Sequence, residues 1–145
     1  MPLFLSKQTM SDLLVTAWEG GSTYWVELAE YIPPKGMSYK ELRRAAWDAA
    51  PDENREDWKD EGRDGRWPLY LFLPYLPPSV KWKVKFTDNE VGEVAYLTPE
   101  NMRQAIATLQ KTHPHLVKGI KDDSYDAINA DAWLQAAIFG EVTFG

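Results

Sequence analysis

The chain of 145 residues has the length of one domain, and with 44% hydrophobic residues it can bury a core of its own. A formal net charge of −6 and a sequence pI of about 4.9 argue against nucleic acid as a partner, which calls for a basic footprint. Without cysteine there can be no disulfide framework or thiolate zinc site. No apolar run approaches the ~20 residues of a membrane span, and the first ten residues lack a signal-peptide pattern.

The first helix is predicted over residues 11–18. Ser11 is its expected N-cap, and Leu13, Leu14, Ala17 and Trp18 form an apolar stripe. Gly20 and Gly21 are expected to stop it by taking the left-handed conformation open to glycine. Residues 24–31 read as a strand with Tyr24, Val26 and Leu28 on one face and Trp25, Glu27 and Ala29 on the other. Pro33 and Pro34 end it. Ser38 and Glu41 have the spacing of a capping box, in which each satisfies an orphan donor of the other. The helix they open carries Leu42, Ala45, Ala46 and Ala49 as far as Pro51.

Residues 52–66 are almost all charged or glycine, the composition of a solvated segment. Residues 67–78, "WPLYLFLPYLPP", hold four prolines, which exclude a regular central strand and predict an edge strand followed by a rigid extended wall. Val80, Trp82, Val84 and Phe86 alternate with Lys81, Lys83 and Lys85, as in a half-buried antiparallel strand with a basic outer face. The turn "TDNEVGE" and residues 94–97 complete a hairpin. Thr98 and Pro99 then open a helix as N-cap and first helical residue, with Met102, Ala105, Ile106 and Leu109 inward. His113 and Pro114 close it. Residues 118–129 read as a polar loop, residues 130–139 as a final helix ended by Gly140, and residues 141–144 as a short last strand. The predicted class is α+β: a small antiparallel sheet with helices packed on one face, in a single domain covering residues 1–145.

Two segments together resemble a family of small proteins of tailed phages and prophages: "AWEGGSTYW", residues 17–25, and "NADAWLQAAIFGEVTFG", residues 129–145. The "YLTPENM" of residues 96–102 fits the hairpin-to-helix element of that family. Residues 33–78 depart from the pattern and read as a family-variable insertion. The resemblance implies a phage-encoded accessory protein acting in the host cytoplasm, and it carries over no catalytic residue.

Several groups invite a chemical reading. Ser22, Thr23, Tyr24 and Trp25 offer hydroxyls and aromatics that would grip a ligand, with Gln135 near the other end of the chain. The glycines beside them follow a helix, at its negative end, whereas phosphate loops precede one. A structural helix stop is therefore the simpler reading. Asp131 in a first helical turn would be favoured by the helix dipole. Asp122, Asp123 and Asp126 lack the alternation and terminal glutamate of a calcium loop. His113 and His115 lack a third metal ligand and an activated nucleophile, so neither a metal nor a cofactor is predicted. The lysine row reads as protection of a sheet edge or as a contact for an anion. Trp67, Tyr70, Phe72 and Tyr75 form either a lid on the core or, with Trp58 of the acidic segment, an exposed contact surface.

The leading expectation is a non-enzymatic inhibitor of a host protein in an anti-phage defence system, acting by protein contact through the acidic residues 48–64 and the aromatic wall. The first alternative is a sponge that sequesters a nucleotide signal in an aromatic pocket, at the interface of a homo-oligomer. The second is a nucleotide-acting enzyme or a replication or assembly factor.

Overall fold

The computed structural model describes residues 4–144. The chain is α+β, about 52% helix and 12% strand, with a three-stranded antiparallel sheet. The first helix, α1 (Lys7–Thr16), continues into a π-helical turn at Ala17–Gly21. Strand β1 (Val26–Ile32), helix α2 (Tyr39–Ala49) and the short helix α3 (Asp52–Arg55) follow. Three 3-10 turns, at Glu56–Trp58, Leu69–Leu71 and Leu73–Tyr75, lead to β2 (Lys83–Asp88) and β3 (Val94–Leu97). Helices α4 (Pro99–Thr112), α5 (Pro114–Lys121) and α6 (Ala127–Phe139) complete the order. No described helix is long and apolar enough to cross a membrane.

The sheet order is β1-β2-β3, so the lysine-bearing β2 is its central strand and not an edge. Edge protection therefore does not explain its lysines. The helices pack against one face of the sheet. Helix α6 is buried on all sides from Asn129 to Ala137 and contacts α1, α4, α5 and β3. A helix this apolar all round belongs at the centre of a core rather than at its edge.

Local signals set most element starts. The capping boxes at Ser38/Glu41 and at Thr98/Asn101 are both formed. Alternation along β2 holds, with Trp82, Val84 and Phe86 buried. Other starts differ from expectation. Helix α1 begins at Ser6, whose hydroxyl accepts from the Thr9 N–H. Ser11 is buried and donates to the Leu71 carbonyl at 2.6 Å instead of capping. Neither Gly20 nor Gly21 has a positive φ. Gly21 serves close approach, because a Cβ there would lie 2.7 Å from the Ala127 carbonyl oxygen.

A bulge between Val26 and Leu28 shifts the phase of β1. An extra residue in one strand turns the following side chains to the other face. Ala29 and Tyr31 consequently face inward, while Leu28, Glu30 and Ile32 point out. Residues 114–121 form α5, since Pro114 starts this helix as readily as it ends α4. Helix α6 starts earlier than expected, at the N-cap Asp126. Residues 141–144 form no strand.

Residues 67–78 form no strand either. Trp67, Leu69, Phe72, Leu73 and Leu76 are buried in the same hydrophobic cluster as α1, α4 and α6. Trp67 and Phe72, each 1% exposed, are core residues and cannot belong to a contact surface. Tyr70 and Tyr75 are half-buried: Tyr70 stacks on Trp18 at 4.7 Å, and the Tyr75 hydroxyl donates to Gln8 Oε1 at 2.7 Å. The aromatic wall is thus a lid over the core, folded as two 3-10 turns.

Candidate functional site

The two quoted end segments meet at one carboxylate. Asp131, on the second turn of α6, is buried. Its Oδ1 accepts from Ser22 Oγ at 2.7 Å and from Trp25 Nε1 at 2.7 Å. Its Oδ2 accepts from the Tyr24 hydroxyl at 2.6 Å and from Gln135 Nε2 at 2.9 Å. Asp131 therefore lies beyond the first turn of α6, and these donors rather than the helix dipole hold it. Ser22, Tyr24, Trp25 and Gln135 are brought together; Thr23 is not, and donates instead to the Gly20 carbonyl at 2.8 Å.

Gln135 also pins the end of the described chain. Its Oε1 accepts from the backbone N–H groups of Thr143 at 2.8 Å and Phe144 at 2.7 Å. These bonds hold residues 143 and 144 against a helix and not against a strand. Phe144 is thereby laid on Trp25, ring centroids 5.1 Å apart and nearly parallel. Phe139 closes the cluster against both rings.

An ionised carboxylate offers roughly four lone-pair sites, and Asp131 has all four engaged. It has no acceptor left for a metal or a ligand donor. Burial, followed by the neighbouring Asp131, pushes the Tyr24 phenol up to about 12, which keeps it a donor to the carboxylate at neutral pH. The sequence signal for this knot is the residue types of the two segments: small polar and aromatic donors at one end, Asp and Gln one helical turn apart at the other.

Beside the knot runs an open groove of about 650 Å³, whose lining includes Gly20, Tyr24, His113, Ile128 and Phe144. Tyr24 is half-exposed there, and Ile128 stands out into it. His113 ends α4, and its Nδ1 lies 2.8 Å from Thr112 Oγ1. Asp131 also lines the groove, with its acceptor sites already taken by Ser22, Tyr24, Trp25 and Gln135. Among the described residues, no group of three or more His, Asp or Glu is arranged to hold a metal ion. Asp126 is accounted for as the N-cap of α6, accepting from Ile128 and Asn129 N–H, and Asp123 takes a left-handed turn with φ of 55°.

The acidic segment lies between α2, which buries Leu42 and Ala46, and the aromatic lid. Residues 48–64 hold eight carboxylates against three cations, and so carry five of the six net negative charges of the chain. Arg63 pairs with Asp48, Arg55 with Asp52, Lys59 with Glu56 and Arg44 with Asp64. Glu53, Asp57 and Asp60 have no ion pair among the described residues. A polar cleft of about 280 Å³ opens here, lined by Asp12, Glu53, Asn54, Asp57, Trp58 and Leu71 among others. Trp58 is half-buried at its rim.

The chain matches no protein-family model, no curated protein and no solved structure.

Proposed function

We propose that this protein is a non-enzymatic inhibitor that covers a basic surface of another protein with residues 48–64. The observation that carries the reading is the concentration of net negative charge in this one exposed segment, anchored at both ends on the core. Concentrated charge of one sign accelerates encounter with a complementary partner and rejects like-charged ones. The cleft of Asp12, Glu53, Asp57 and Trp58 supports it further, since carboxylates beside an indole suit an arginine or lysine side chain. The aromatic lid then serves as the anchor of the segment and not as a contact. Phage origin, action in the host cytoplasm and a defence effector as target come from the resemblance of the end segments.

The groove beside Tyr24 gives the nucleotide-sponge alternative little support, because Ser22, Tyr24, Trp25 and Gln135, four of the five residues expected to grip a ligand, are spent on Asp131. Affinity capture from a bacterial host lysate, with protein and small-molecule detection, tests the reading. A captured protein that is lost on the double substitution Glu53→Lys and Asp57→Lys, with weakening of about tenfold, is the expected result. A co-purifying nucleotide, or a capture indifferent to both substitutions, overturns it.

A further inference from the structure

We propose that the outer face of the sheet is a second docking surface, which receives an acidic amphipathic helix of a partner protein. Helix α6 packs against β3 on the inner side, and the side chains of the outer face stay exposed. Register defines its layout. Leu28, Thr87 and Val94 form one row; Glu30, Lys85 and Tyr96 the next; Ile32 and Lys83 a third. Leu28, Val94, Tyr96 and Ile32 are 49%, 40%, 42% and 36% exposed, which places four of the chain's large exposed apolar side chains on one small face. Scattered exposed apolar residues need no explanation, but a contiguous group in register marks an interaction surface.

The charge of the face names the occupant. On a chain of net charge −6, this face carries Lys83 and Lys85 on the central strand against Glu30 alone. Glu30 stands 4.0 Å from Lys85, the limit of an ion pair, and Lys83 lies over the Tyr96 ring at 5.9 Å. Lys81, two residues before the strand, is already paired with Glu100 at 2.7 Å. Cations in the middle with apolar side chains on both flanking strands complement carboxylates flanked by apolar residues. Three strands about 4.8 Å apart give a platform about 10 Å wide, the diameter of one helix. A single exposed aromatic and aliphatic flanks do not make the run of stacking platforms that single-stranded nucleic acid uses. A second copy of the same face would oppose lysines to lysines.

The test uses the full chain and a synthetic amphipathic helical peptide with leucine on one face and glutamate on the other. Isotope-labelled protein is titrated with the peptide, and affinity is followed by fluorescence anisotropy. Saturable binding that shifts the amides of residues 83–87 and 94–97 is expected. The exposed double variant Lys83→Glu and Lys85→Glu, checked for its fold by circular dichroism, loses affinity by about tenfold. Glu53→Lys with Asp57→Lys leaves that affinity unchanged, which separates this face from the acidic surface. The proposal is overturned by no binding, by binding indifferent to the lysine substitutions, by equal binding of a lysine-for-glutamate peptide, or by a chain that self-associates through this face in sedimentation. Tighter lysine-dependent binding of a thymidine oligonucleotide than of the peptide overturns it in favour of nucleic acid.

Discussion

A buried carboxylate with no cation beside it must be held by hydrogen-bond donors, and Asp131 shows how completely a short sequence can supply them. Replacing Asp131 with Asn removes the charge and turns one acceptor into a donor that faces the Tyr24 hydroxyl and the Gln135 amide. Hydrogen bonds to a charged group contribute about 1.5–3 kcal/mol each, and an unsatisfied buried group costs about 1–3 kcal/mol. The expected loss is about 3 kcal/mol, read as a lower midpoint in urea unfolding. Two tryptophans of α6 and of the residue 17–25 corner separate packing from hydrogen bonding. Trp25 Nε1 donates to Asp131, whereas Trp133 Nε1 is buried without a partner. Both rings are buried, so Trp→Phe removes similar volume at each. Trp25→Phe is expected to be less stable than Trp133→Phe by about 1–3 kcal/mol, the hydrogen-bond share of the change. Equal losses in chemical denaturation would assign the knot to packing alone. The sequence made Ser22, Tyr24, Trp25 and Gln135 stand out by type, but their common partner was invisible in it, because Asp131 suffices as a helix-start residue until its burial is known.

At the scale of elements, what was legible is what is local. The capping box at Ser38, the N-cap at Thr98, the alternation of Val80 to Phe86 and the helix stop at Gly140 each depend on neighbours within a few residues. Non-local contacts decided the rest. Ser11 looked like a cap, yet its hydroxyl is taken by Leu71 across the fold. The bulge at residue 27 inverted the face of β1, a one-residue event that periodicity cannot foresee. The two adjacent glycines make the distinction testable. Gly21 sits against the Ala127 carbonyl, while a Cβ on Gly20 would meet nothing within 4 Å. Gly21→Ala is expected to destabilise by about 1–3 kcal/mol through backbone collision. Gly20→Ala, which has no positive φ to strain, is expected to be neutral or to stabilise by up to about 1 kcal/mol. Thermal unfolding of the two single variants decides between this packing role and a shared helix-stop role, under which they would behave alike.

Across the whole molecule, three of the four hydrogen bonds onto Asp131 join residues 106 to 109 positions apart, so closing the knot ties the π-helical corner to helix α6. Such closure is stable only while each group keeps the protonation state the fold requires, and this shapes the pH profile. On the acid side, Asp88 accepts from the N–H groups of Val91, Glu90 and Glu93 in the β2–β3 turn, which holds its carboxyl below the usual range. The native state stays ionised where the unfolded chain takes up a proton. That stabilisation is whole above the ordinary carboxylate value of about 3.9 and is lost as pH falls through the lower folded value. On the alkaline side the sign reverses. Burial and then the carboxylate of Asp131 raise Tyr24 to about 12, and burial and then Asp12 do the same for Tyr125. Burial also raises Tyr31 and Tyr70. The native state keeps protons that the unfolded chain releases above about pH 10, so this contribution is whole below that pH and disappears as pH rises through the folded values. Stability is expected to be level between about pH 5 and pH 9 and to fall at both ends. Tyr24→Phe, which removes the donor and the titrating group together, should lower the plateau by about 1–2 kcal/mol and flatten the alkaline limb while leaving the acid limb unchanged. An alkaline limb of unaltered slope in that variant, measured by urea unfolding across the pH series, would show that Tyr24 does not report the closing of the knot.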